Sequence, residues 1–157
     1  MGRVDPSTLL FFDASCLIAA ASSPAVGAGF LWGLCERGFL QAAVSQAVLT
    51  EAASNLASKF DSSCLERHVR QLRLCAPHIA PIPLLDGQPH LYPQINPKDE
   101  HVVAAAFAVR ADVILTLDRP LAREIEQAAL GIPARSPGDF IQFDLTTHPF
   151  FAVLREE

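Results

Sequence analysis

The chain has 157 residues; half are hydrophobic, 18% are charged, and the net charge is -5 at pH 7. That length suits one domain, which would bury roughly 70% of its unfolded surface, and the composition excludes a disordered chain. The negative balance argues against a broad basic nucleic-acid face, but leaves room for a local basic groove or for an acidic site neutralised by a cation.

The first predicted element is a four-residue apolar strand, Leu9-Leu10-Phe11-Phe12, ended by Asp13. The apolar run Leu9 to Ala21 is interrupted by Asp13 and Ser15 and no basic segment precedes it, so neither a membrane span nor a signal peptide is expected. A short helix follows from Ser15, broken at Ser22-Ser23-Pro24. A second runs from about Gly27 to Glu36, with Gly38 as its stop. Phe39 to Val44 reads as a strand, and Ser45 as the N-cap of a helix through about Lys59 that carries Glu51. The next helix, Ser62 to Leu74, has Arg67, His68 and Arg70 on one side and Leu65, Val69 and Leu72 on the other.

Pro77 to Pro93 holds five prolines; within it, Ile79 to Leu85 reads as an edge strand, where proline is tolerated. Asn96-Pro97 then opens a helix with Asp99 and Glu100 in its first turn, where negative charge suits the exposed N–H groups. Val113-Ile114-Leu115 has the look of a buried parallel strand, and it runs out through Thr116 to Asp118. Pro120 starts a further helix to about Leu130, Ile132 to Arg135 reads as a last strand, and a phenylalanine-rich C-terminal segment follows. This alternation implies a parallel sheet covered on both faces. Cys16, Cys35, Cys64 and Cys75 form no CxxC pair and read as free thiols in a reducing cytoplasm.

Four carboxylates stand at informative places: Asp13 and Asp118 at strand exits, Asp99 at a helix start, and Glu51 on the helix after the second strand. In a parallel sheet all strand exits share one edge, where open α/β folds bind ligands. Two carboxylates in close contact repel by about 4 kcal/mol at a near-surface dielectric, so a shared site calls for a hard divalent cation, magnesium or manganese. Singly, each acid reads as a cap or a surface charge; it is their joint arrangement that points to a site. Glu100, Asp139, Asp144 and His101 are expected at the surface, and Asp112 in a turn. Lys98 and Arg119 flank the expected cleft. HEXXH, P-loop and GxGxxG patterns are absent, so zinc protease, NTPase and dinucleotide-binding readings have no motif support.

The blocks LLFFDASCLIAAA, AVLTEAASNL, KDEHVVAAAFAVRADVILTLDRPL and SPGDFI resemble the PIN-domain family, in particular its VapC-type toxin ribonucleases. The resemblance spans about residues 8–142 of what reads as a single domain, with residues 143–157 as a candidate interaction tail. It implies an α/β/α sandwich around a central parallel sheet of about five strands. It also implies metal-dependent endonucleolytic cleavage of RNA. The four acidic positions fall on Asp13, Glu51, Asp99 and Asp118, and polar support residues on Ser15 and Thr116. Mg2+ or Mn2+ is the implied cofactor, RNA the substrate, an antitoxin protein and a second copy of the chain the partners. Two other classes stay open. One is a non-catalytic PIN module that binds nucleic acid or protein. The other is a phosphatase of the haloacid dehalogenase type, whose second motif aspartate is Ser15 here.

Overall fold

The computed structural model describes residues 1–81 and 92–155. Its strands are β1 (Leu9–Phe12), β2 (Gln41–Ser45), β3 (His78–Ala80), β4 (Val113–Leu115) and β5 (Ala134–Arg135). They form one parallel sheet in the order β3-β2-β1-β4-β5. Flanking helices are α1 (Ala14–Ser22), α2 (Ala28–Glu36), α3 (Gln46–Lys59), α4 (Ser62–Cys75), α5 (Glu100–Ala108) and α6 (Arg119–Ala128). No helix among the described residues is long and apolar enough to cross a membrane.

The central strands are apolar throughout because both of their faces are covered. Leu10, Phe11 and Phe12 of β1 and all three residues of β4 are fully buried. From β1 the chain builds outward through β2 and β3; it then returns to lay β4 on the other side of β1. The strand order therefore reverses between β1 and β4, and a crevice opens at such a reversal. Asp112 does more than turn the chain. Its Oδ2 accepts the Leu9 N–H at 2.7 Å and its own N–H donates to the Leu9 carbonyl at 2.8 Å, which stitches the start of β1 to the start of β4.

Helix α4 is rotated from the expected face. His68 is its buried residue, whereas Val69 is 46% exposed. The reason lies on α1, whose last carbonyls have no partner within their own helix. Gln71 Nε2 donates to the Ala20 carbonyl at 2.9 Å, and Arg67 donates to the Ala21 carbonyl. These polar bonds turn the Arg67–Gln71 side inward. Burial holds the His68 imidazole below its ordinary pKa, in the neutral form. Trp32 on α2 sits edge-on to Phe12 at 4.9 Å and donates its indole N–H to the Gln71 carbonyl at 3.0 Å. Helix α2 approaches the preceding turn so closely that a Cβ on Gly29 would lie 2.4 Å from the Ser23 carbonyl oxygen.

Of the predicted edge strand Ile79 to Leu85, β3 covers its start, and residues 82–91 lie outside the described residues. The C-terminal segment continues from Pro137 as short helical turns. Leu145, His148 and Leu154 are buried. Thr147 Oγ1 accepts the Val4 N–H at 2.8 Å, and the His148 ring Nε2 meets the Phe39 carbonyl at 2.8 Å. This segment packs on the core, yet it presents Phe143, Phe150 and Val153 to solvent. The four cysteines are free thiols. Burial pushes the Cys75 thiol up to about 12, and Cys16 and Cys35 rise for the same reason.

Candidate metal centre at the strand-exit edge

Asp13 leaves β1 at the reversal of strand order and caps α1. Its backbone N–H donates to the Leu115 carbonyl at 3.0 Å, which fixes it beside the exit of β4. Its Oδ1 accepts the Ala14 N–H at 2.8 Å; its Oδ2 accepts Thr116 Oγ1 at 2.8 Å and the longer contact from Ser15 Oγ at 3.5 Å. Asp13 as a whole is 8% exposed. Thr116 is buried and shares its hydroxyl with both acids, because Oγ1 also accepts the Asp118 N–H at 3.1 Å. Ser15 Oγ accepts the Leu117 N–H at 3.0 Å. The two hydroxyls expected as polar supports thus tie the exit of β1 to the exit of β4.

Asp118 caps α6, with Oδ1 accepting the Leu121 N–H at 3.1 Å. Asp99 closes a 3-10 turn, Pro97–Asp99, just before α5, and its side chain makes no capping bond there. Burial raises its carboxyl above the ordinary value; Lys98 opposes the rise, while the negative charges of Asp118, Asp13 and Glu124 add to it. Asp99 therefore registers the charges of Asp13 and Asp118. The turn is anchored by a residue that sequence reasoning missed: Glu124 Oε1 accepts the Asn96 N–H at 2.6 Å. Glu124 lies six residues beyond Asp118 on an amphipathic helix, where the pattern alone marks it as one more solvated charge.

Glu51 lies exposed on α3 and is not among the charges that act on Asp99. Glu100, expected at the surface, is 8% exposed. It follows Asp99 directly and sits on the inward side of α5 with Val103, and its charge helps raise the Tyr92 phenol, after burial. His101 is half-buried rather than exposed, and its Nδ1 finds no partner among the described residues.

Does this edge suit a divalent ion? Among the described residues, no three His, Cys, Asp or Glu side chains stand close enough to form a ready-made cage. The donors that do gather are carboxylate oxygens, the hard ligands that magnesium and manganese prefer. Their mutual repulsion, registered at Asp99, is what a cation would relieve. The donor chemistry fits such an ion, with Asp13 held through both of its oxygens and Asp118 through Oδ1.

The PIN domain family profile matches residues 10–120, most of the chain and every element from β1 through β4. The chain belongs to the PIN-domain family. No curated protein matches it. The PIN fold accounts for the parallel five-stranded sheet with helices around it. PIN domains are generally nucleases, hydrolases of phosphodiester bonds, and they typically use divalent metals.

Proposed function

We propose that the protein is a magnesium- or manganese-dependent endoribonuclease. What supports this reading is Asp13 at the exit of β1 beside Asp118 past the exit of β4, with an Asp99 carboxyl raised by burial and by the charges of both, in a chain of a nuclease family. The three aspartates would hold the ion, with Glu51 reaching it through water. Bound there, a divalent cation supplies Lewis-acid chemistry and neutralises charge at the scissile phosphate. The rest falls to the protein. Thr116 and Ser15 keep the Asp13 carboxylate aimed, so little reorganisation is needed when charge develops. Asp99 must lose its proton before it can ligate, and its raised pKa makes that step sensitive to acid.

The closeness of the sequence blocks to VapC-type toxins supports a place as the toxin of a toxin–antitoxin pair. Exposed Phe143, Phe150 and Val153 support self-association, to be read by light scattering. The test of the activity is cleavage of a labelled single-stranded RNA over a magnesium titration. Wild type should cut only with metal, and Asp13→Asn and Asp99→Asn should each lose at least about 100-fold in rate while keeping the wild-type circular dichroism. Undiminished cutting by both variants would overturn the mechanism. RNA binding without cutting at any metal concentration would point instead to a non-catalytic PIN module.

A further inference from the structure

Beside the acidic edge lies a cavity of about 610 Å³ whose walls include Arg119, Arg123, Arg135, Thr116, Ser136 and Asp139. It gathers three guanidiniums against one carboxylate, in a chain whose net charge is -5. Arg119 and Arg123 are four residues apart on α6, so they share one helix face. Both are exposed, and neither makes a hydrogen bond or ion pair among the described residues. Arg135 is different. Its Nε binds Asp144 at 3.1 Å and its Nη1 binds Glu126 at 3.2 Å, which fixes the guanidinium and leaves Nη2 without a bond among the described residues. One braced guanidinium and two with no bond of their own thus face a common space.

We propose that this cavity holds the backbone phosphates of the RNA strand next to the one being cut, with Arg119 and Arg123 as positioning residues. The inference rests on the ribonuclease reading above. Its physical ground is that carboxylates alone would repel a polyanion, so an acidic cleavage edge needs cationic contacts close by. Thr116 belongs to both places: it lines the cavity and its hydroxyl touches Asp13 at 2.8 Å. A strand with one phosphate at the aspartates therefore passes the arginines with the next. The volume exceeds what one small anion needs and falls in the range of ligand sites that take a nucleotide-sized group. Guanidinium forks suit phosphate oxygens, and the contact carries no base preference.

The experiment is fluorescence anisotropy of labelled single-stranded RNA with the full chain in EDTA, where no metal-dependent cutting occurs, from about 50 to about 200 mM salt. The double variant Arg119→Ala/Arg123→Ala should bind at least about tenfold more weakly. Its slope of log affinity against log salt should fall by about 1.4, at about 0.7 per phosphate contact on a single strand. Arg119→Lys/Arg123→Lys, which keeps the charge, should recover most of the affinity; a merely structural role for α6 would not show this pattern. Affinity and salt slope equal to wild type in the alanine variant would overturn the proposal, as would a wild type that binds no RNA at low salt. So would an alanine variant that keeps RNA but loses a polyglutamate peptide, because the cavity would then belong to an acidic protein segment. Wild type that binds with the predicted slope yet never cuts would remove the nuclease reading and leave the phosphate site in place.

Discussion

The strand-exit edge and the Asn96–Glu100 turn present the same side chain in opposite circumstances. At the edge, Asp13 is buried but saturated: an N–H and two hydroxyls bond its oxygens. At the turn, Asp99 is more open, makes no capping bond, and carries a pKa raised by burial and by the neighbouring acids. One carboxylate is part of how the sheet is tied together; the other is held in an unfavourable place by the structure around it. Removing charge should therefore have opposite effects on stability and the same effect on activity. That is the pattern expected where a fold supports a site at some cost to itself.

The sharpest way to break this comparison is to make both neutral variants and melt them. Asp13→Asn turns an acceptor into a donor opposite Thr116 and should cost about 1–3 kcal/mol, a drop in Tm of several degrees. Asp99→Asn should instead raise stability by up to about 1 kcal/mol, since half-exposed charges are screened. Equal losses in both would mean that the two carboxylates are not distinguished as described. The pH dependence of Asp99 follows the same logic. Its folded pKa is raised, so the folded state binds more protons than the unfolded state in the window above 3.8. Its contribution is full below that value and is lost as pH rises through the folded pKa. Metal-free protein should lose stability across this window; added magnesium should restore it, and Asp99→Asn should flatten the response.

A smaller effect is expected at Thr116→Val, which keeps the volume but strips a buried acceptor and donor from Asp13 and Asp118. A loss of about 1–2 kcal/mol by denaturant titration, with reduced magnesium affinity, would support its bridging role. The smallest concerns Glu124. Glu124→Ala frees the Asn96 N–H and should cost about 1 kcal/mol and a severalfold loss of cleavage rate, whereas Glu124→Gln keeps an acceptor and should stay near wild type in stability. If alanine and glutamine behave alike, the anchor of the Asp99 turn lies elsewhere.

The sequence made the exit edge readable because two strong signals coincide there. Buried parallel strands are short unbroken apolar runs, and Leu9–Phe12 and Val113–Leu115 each end in a polar stretch with an aspartate. What stayed hidden depends on partners far along the chain. Periodicity alone places Val69 inward on α4, but Gln71 and Arg67 bond the end of α1 and rotate His68 inward instead. Glu100 follows the buried face of α5 despite its charge, since apolar spacing says nothing of where an acid finds company. Glu124 and the arginine-lined cavity depend on the packing of α6 beside the Asp99 turn and β5, contacts that no local pattern encodes.

The hydroxyl of Thr116 reaches Asp13 across 103 positions of sequence. In a growing chain β1 precedes β4, so this edge is not finished until β4 has emerged and paired beside β1. Any fragment released before that moment carries Asp13 without its brace and without Asp118. The edge is therefore a joint product of two distant stretches of chain, and neither stretch supplies it alone.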